Sequence, residues 1–582
     1  MTSKFLKPLC KSFSNLFSNV LKSNSFFWFL VVILTVFLRI PSLFEGWWYG
    51  DENIYGAVGQ GIVNGKMLYV DVWDNKPPLI YLIYGLNSLF FGTSLWSLRI
   101  FNLFLAVLGT VSFFQITSFF NLSRRVRQFF TLIYILLSTV YFEGTILNGE
   151  NIFVPLILTG FWLIYGTLQT RIKTEKSENW FDWQLILGAV FWSCAILVKV
   201  HALVEISVLL LIFLVILVKE IGNKNKTGIE TEIKQNIGIN NEIKNLSKTQ
   251  SNNILQKESL KWLDFFNTWK VFFGHFSHET FSKILRFFLP ILTVLILPWI
   301  LILLIFRNHL ADLHFALLGF SSQYVVNSKI PALFNLVQVP FLSWLYFHAL
   351  MCFLGIVLGV WAFWTARISR NYFVIGLWFL VVCFGVLIPG RGYPHYILQA
   401  LPVFVLVYSL AANFVTQSKI WQNSFVVILA TILLTSNFWQ TFDGSWTYLN
   451  LQNYFGFWQT LGNGEKFKLW RTNFDYNMLA SQEVLVPLIQ SKSTPEQEIF
   501  ILANRPDLYI LSKRLNTNKF VADYHIFPQQ IGTITRELAD KKTPLIIIDT
   551  KSPLAQDFRT SIKTKWQYQE TVLDTEFWIW LN

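Results

Sequence analysis

Cysteine is scarce in this chain, with four among 582 residues. Cys10 precedes the first long apolar run, and Cys194, Cys352 and Cys383 fall inside apolar runs. With Cys10 on the expected cytoplasmic side, no cysteine in the expected outer loops or the C-terminal region, and no CxxC spacing, a disulfide framework and a cysteine zinc site are both excluded. Charge is thin as well: Asp, Glu, Lys and Arg make up only 14% of the residues, and acids are the scarcer sign, 34 against 47 basic residues. A chain this poor in charge, 53% hydrophobic and 17% aromatic, has more apolar surface than soluble cores can hide. It reads as a polytopic α-helical membrane protein.

A bilayer-spanning helix needs about 20 apolar residues. Eleven runs qualify as candidates, centred near 35, 108, 137, 160, 192, 210, 297, 352, 380, 405 and 431. The first lies too deep in the chain for a cleaved signal peptide and is read as the first membrane helix. Lys4, Lys7, Lys11 and Lys22 place the N-terminus (1–25) in the cytoplasm by the positive-inside rule. Alternating from there puts Arg124, Arg125, Arg127, the stretch Arg171 to Lys176, the lysine-rich 219–285, Arg367, Arg370 and Lys419 on the same side. The segments 49–78, 143–150, 307–338 and 389–396, and everything from about 440, then fall outside. The net charge of +13 is thereby topological, basic loops beside anionic headgroups, and calls for no nucleic acid.

Two regions depart from the membrane pattern. Residues 219–260 are rich in Asn, Lys, Ile and Gln and carry the near-repeats Thr231-Glu232-Ile233-Lys234 and Asn241-Glu242-Ile243-Lys244. That composition predicts a disordered cytoplasmic insertion, followed by an amphipathic interfacial helix over 262–288. From 441 to 582 the pattern becomes that of a small extracytoplasmic α/β domain, with strands at 498–502, 544–549 and 576–580 and a helix near 528–541. Arg505, Asp507 and Tyr509 are read there as structural rather than acceptor-binding.

The chemistry concentrates in the first outer loop (45–96). Tyr49-Gly50-Asp51-Glu52-Asn53-Ile54-Tyr55 and Asp71-Val72-Trp73-Asp74-Asn75-Lys76-Pro77-Pro78 set four acids and a lysine between two apolar runs. Charge beside hydrocarbon is expensive, so such a cluster marks a functional site by default. A carboxylate partly desolvated at the interface becomes basic enough to take a proton from a hydroxyl. The double proline stiffens the entry into 79–92, which is short for a span and expected along the interface.

Gly65-Lys66-Met67-Leu68-Tyr69-Val70-Asp71-Val72-Trp73-Asp74-Asn75-Lys76-Pro77-Pro78, placed after a first membrane helix and an Asp-Glu pair, resembles the bacterial C-type (GT-C) membrane glycosyltransferases. These are relatives of the protein O-mannosyltransferases and of the aminoarabinose transferase acting on lipid A. Pro389-Gly390-Arg391-Gly392-Tyr393-Pro394-His395-Tyr396 and the helix after it resemble the family's lipid-phosphate turn, and Glu150 stands where relatives place another acid. The resemblance covers residues 26–440. It implies a GT-C fold and an inverting transfer of one sugar from a polyprenyl-phosphate donor to a glycolipid, polysaccharide or protein on the outer face of a cell inner membrane. Within that scheme Asp51 is the expected base, assisted by Glu52. Lys76, Arg391, His395 and Tyr396 bind the donor phosphate, and Tyr55, Asp71, Asp74 and Glu150 bind acceptor or sugar. Glu52 and Glu150 are also candidates for holding a divalent cation, Mg or Mn. Lys199 and His201 are read as interfacial anchors, and 307–338 as a lid. The rival reading is a lipid or sugar transporter, for which a series of mid-span carboxylates and two related halves are expected. Neither is evident in the sequence. A third reading, an assembly subunit, leaves the acids without a task.

Overall fold

A computed structural model describes residues 24–140, 143–174, 182–237, 278–320, 329–332, 337–390, 393–417, 452–473 and 478–581. Among these, eight helices are long and apolar enough to cross a membrane, and the chain is a multi-pass membrane protein. In chain order the larger helices are α1 Asn24–Arg39, α2 Gly50–Val63, α3 Pro78–Phe91, α4 Trp96–Ser118, α5 Arg124–Val140, α6 Gly149–Thr174, α7 Trp183–Val198, α8 His201–Ile237, α9 His278–Ile305, α10 Phe341–Trp364, α11 Arg370–Leu387 and α12 Ile397–Gln417. Ten of the eleven expected positions carry a helix. The eleventh, near 431, lies outside the described residues. Two of the ten, α5 and α7, have only 17 and 16 residues and are not among the eight, whereas the 16-residue α1 reaches a 20-residue span through the 3-10 turn Ile40–Phe44.

α6 is the hub, enclosed by α4, α7, α8 and α12, whereas α10 is almost entirely outward-facing. The short α2 and α3 pack against each other. Pro78 opens α3 at its first turn, where a missing N–H costs nothing, with Pro77 extended before it at ψ 161°. The pair crosses at glycines: a Cβ on Gly59 would lie 2.5 Å from the Gly85 nitrogen and 2.9 Å from the Tyr81 carbonyl oxygen. Backbone cannot yield as a flexible side chain can, so Gly59→Ala is expected to force the helices apart and lower stability by about 1–3 kcal/mol. A thermal-unfolding series on the purified protein measures this.

The insertion expectation needs correcting in its first part. Residues 219–237 continue α8 as helix, and 238–277 lie outside the described residues. The expected interfacial helix over 262–288 is described only from His278, where it is the start of the long α9. The segment 307–338 contains a short helix, Leu310–His314, and the antiparallel hairpin β1 Lys329–Ala332 with β2 Val337–Pro340.

The C-terminal part is a five-stranded sheet: β3 Glu498–Leu502, β4 Leu515–Asn516, β5 Leu545–Asp549, β6 Trp566–Val572 and β7 Thr575–Trp580. The strand order is β4-β3-β5-β7-β6. β3 is parallel to β4 and β5, while β7 runs antiparallel to its neighbours β5 and β6. Helices Ile531–Asp540 and Ala555–Ile562 accompany it.

This sheet unit is docked on the segment 64–77 between α2 and α3. Lys66 Nζ lies 2.6 Å from Glu498 Oε1 and donates to the Asn516 carbonyl oxygen at 2.6 Å. The Trp73 backbone N–H donates to the Lys519 carbonyl oxygen at 2.8 Å. Its indole is fully buried among Phe315, Phe320, Phe520 and His525.

His525 makes this seam acid-sensitive. Burial pulls its imidazole down to about 4, with Asp74 opposing. The unfolded chain therefore binds more protons than the folded one between about pH 6.5 and 4, and stability is lost as pH falls through that window. The expected acid loss is on the order of 3 kcal/mol. His525→Gln flattens it in pH-dependent thermal unfolding.

Candidate active site

Asp51 sits in the first turn of α2, at the positive end of the helix dipole. It is partly exposed and accepts a hydrogen bond from the Tyr55 hydroxyl at 3.3 Å. Burial, aided by Asp51, holds Tyr55 well above the usual phenol range, so it acts as a neutral donor.

Three other segments converge here. From α6 comes Glu150, ion-paired with Lys199 from the turn between α7 and α8. Lys199 is buried and lies 4.5 Å over the Tyr396 ring. Burial holds its ammonium below the usual lysine range despite Glu150. Lys76 and Asp51 both act electrostatically on Lys199, and Lys76, Lys199 and Glu150 all act on His201. The fourth segment is the turn Pro394–Tyr396. There His395 Nδ1, the Tyr49 hydroxyl and Glu143 Oε2 form a triangle with sides of 2.8, 2.8 and 2.9 Å.

The structure thus gathers Asp51, Tyr55, Lys76, Glu150, His395 and Tyr396, and adds Lys199, His201, Glu143 and Tyr49. Arg391 lies outside the described residues. Lys76 donates to Asn75 Oδ1 at 2.5 Å and has no acidic partner among the described residues. It is held by the loop's own bracing: its carbonyl accepts from the Tyr69 hydroxyl at 2.7 Å, and its N–H donates to the Tyr81 hydroxyl oxygen at 2.8 Å.

Two expected site acids, Glu52 and Asp74, are corrected. Glu52 is fully buried in an ion pair with Arg99 of α4, whose Nη2 donates to Oε2 at 2.8 Å. Its other oxygen accepts from the Leu147 N–H at 2.8 Å and the Tyr84 hydroxyl at 3.2 Å. Its acceptor capacity is taken, so it braces α2 against α4 and the 143–150 turn. Asp74 is buried, accepting from the Tyr81 hydroxyl at 2.9 Å, with His525 Nε2 at 3.4 Å. Asp71 is exposed, and its side chain accepts from the Met67 N–H at 2.8 Å within its own turn.

The donor set does not fit a metal held by Glu52 and Glu150, because each carboxylate already faces a cation. Arg505 and Asp507 are likewise internal braces, with contacts of 2.8–3.2 Å. The Tyr509 hydroxyl oxygen accepts from the Ile501 N–H at 2.8 Å.

The sequence reading passed over Glu143, Arg99 and Glu205. Glu205 is buried inside α8, accepting from Trp378 Nε1 at 2.7 Å and Gln399 Nε2 at 3.0 Å. Lys199 and His201, read as anchors, belong to the cluster.

Residues 62–239 match the family model described as dolichyl-phosphate-mannose-protein mannosyltransferase. The matched stretch, a domain of that family, includes Lys76, Glu143, Glu150, Lys199 and His201, while Asp51 and His395 lie outside it. Among solved structures, the chain is similar to the archaeal oligosaccharyltransferase AglB from Archaeoglobus fulgidus in complex with an inhibitory peptide and a dolichol-phosphate. The identity is 13% and the TM-score 0.42, covering 93% of this chain and 72% of that one. The apo oligosaccharyltransferase of the same organism gives 12% and 0.39 over the same shares. Neither likeness is close enough to carry a residue's role. No curated protein matches the chain.

Proposed function

We propose that this protein is an inverting glycosyltransferase moving one sugar from a polyprenyl-phosphate donor to an acceptor at the outer membrane face. The carrying observation is Lys76, a cation without an acidic partner among the described residues, within electrostatic reach of Lys199 and His201 at the mouth of the Asp51 cluster. The match of 62–239 to a lipid-phosphate-sugar transferase family supports the same reading.

Asp51 takes the acceptor hydroxyl proton. The acceptor oxygen attacks the anomeric carbon opposite the phosphate, the carbon–oxygen bond to phosphate breaks, and the lipid phosphate leaves with the electron pair. Fixed positive groups facing the leaving phosphate in a low-dielectric site stabilise that charge. Lys76 and His395 serve there, with Arg391 as a further phosphate ligand and Tyr396 as a hydrogen-bond donor. Tyr55 orients the Asp51 carboxylate. Lys199, drawn to Glu150 in this state, is positioned to exchange that partner for phosphate. The acceptor is a glycolipid, polysaccharide or protein, in the inner membrane of the cell. No metal-dependent step enters.

Lys76→Met is expected to weaken binding of polyprenyl phosphate to the full-length protein in nanodiscs by about tenfold or more, the scale of a charge-assisted contact. Unchanged binding removes Lys76 from the phosphate site.

A further inference from the structure

Glu143 has no task in the transfer scheme, yet it is hydrogen-bonded to His395, a residue that scheme assigns to the phosphate. It is buried in the turn before α6, with a left-handed backbone at φ 59°. A residue with a side chain adopts that region at a cost, and here Asn151 Nδ2 ties the Glu143 carbonyl down at 3.0 Å. The acid is held in place from its own backbone.

The hydrogens of the triangle it forms with Tyr49 and His395 can be placed by counting donors. A carboxylate only accepts, and a phenol has one hydrogen to give. Tyr49 gives its hydrogen to Glu143 Oε2 at 2.8 Å, and burial, with Glu143 beside it, holds the phenol well above its usual range and therefore neutral. His395 Nδ1 lies 2.8 Å from that same carboxylate oxygen and 2.9 Å from the Tyr49 oxygen. A bare nitrogen there would set its lone pair against theirs, so Nδ1 carries a hydrogen and donates it. Nε2, on the opposite edge of the ring, is the nitrogen left for a ligand.

The protonation of Nε2 decides what that edge can do. A neutral imidazole with its hydrogen on Nδ1 turns a lone pair towards an arriving phosphate and repels it, whereas an imidazolium offers a charged N–H donor. Negative charge at hydrogen-bond distance favours the imidazolium. His395 is buried, so a neighbouring carboxylate does for its charge what water cannot. Glu150 and Lys199 also act on the ring, but they are paired with each other. Tyr393 and Tyr396, from its own turn, contribute aromatic faces and edges.

We propose that Glu143 is a positioning residue of the donor-phosphate site, holding His395 as an imidazolium that presents its Nε2–H to the phosphate, with Tyr49 locking the pair. This rests on the transfer function proposed above. Tyr49 stands at the N-cap position of α2, the helix that carries Asp51. The lock therefore ties the base-bearing helix to the phosphate turn.

The test is the affinity of the full-length protein in nanodiscs for polyprenyl phosphate, measured at about pH 8 and about pH 5.5, either side of the ordinary histidine range. Glu143→Gln, which keeps the side chain's shape, is expected to weaken binding about fivefold at the higher pH, and His395→Gln about tenfold, the scale of a charge-assisted contact. The double variant is no weaker than His395→Gln, because Glu143 acts only through the imidazole. At the lower pH the Glu143→Gln deficit shrinks, since solution protons then supply the charge that the carboxylate otherwise favours. Glu143→Asp, which keeps the charge, recovers part of the loss at the higher pH. The thermal midpoint of each variant is the folding control. A deficit independent of pH, losses that add in the double variant, or unchanged binding in Glu143→Gln or His395→Gln overturns the inference and leaves the phosphate site itself standing. Wild-type protein that binds no polyprenyl phosphate removes the transfer reading, and this inference with it.

Discussion

Arg99→Met is expected to lower the stability of the protein by about 3–5 kcal/mol, because it strands a buried carboxylate. Glu52 and Arg99 are both essentially inaccessible to solvent, and the guanidinium meets both carboxylate oxygens. Removing the cation leaves Glu52 with only the Tyr84 hydroxyl and the Leu147 N–H. The double variant Glu52→Gln with Arg99→Met is expected to be less damaged than Arg99→Met alone, since it removes the uncompensated charge. Thermal unfolding of the three proteins in one lipid composition gives the comparison. A single variant as stable as wild type removes Glu52 from the bracing role.

Asp51→Asn is expected to cost about 10²-fold or more in sugar transfer, the lower range for loss of a positioned general base, with donor binding retained. The amide keeps the shape and still accepts from Tyr55, so α2 and its surroundings remain folded. The contrast with Glu52 is the informative part. Two adjacent acids leave a helix about 100° apart: one points into a saturated ion pair, the other into the cluster with Lys199 and Glu150. Glu52→Gln is therefore expected to act first on stability and Asp51→Asn first on turnover. Equal turnover losses with equal destabilisation place both residues in the scaffold.

The membrane helices were legible because hydrocarbon length is a local property of sequence. Ten of eleven expected positions carry a helix, and the strands near 498, 545 and 576 stand where β-branched runs are bounded by turn residues. The pairing of acids was not legible. Glu52 and Arg99 are 47 residues apart, and Asp74 is turned inward by Tyr81 and by His525, 451 positions away. Nothing in the local pattern distinguishes an acid that faces a site from one that holds it together. Glu143 escaped notice as a lone acid in a short turn, although it shares that turn with Glu150. Lys199 was discounted because a lysine at a helix end usually snorkels, and only packing shows that this one is buried against Glu150. The helical start of the 219–260 segment was not legible from composition either, since α8 runs on as one continuous helix to Ile237.

The central claim is tested most directly by supplying wild-type protein in nanodiscs with radiolabelled polyprenyl-phosphate sugars and a membrane extract containing glycolipid and protein acceptors. The account predicts that label moves from the lipid phosphate onto an acceptor with inversion at the anomeric carbon, and that Asp51→Asn slows the movement about 10²-fold or more while still binding donor. Label that stays on the lipid with every donor, or that crosses a sealed bilayer unchanged, contradicts it.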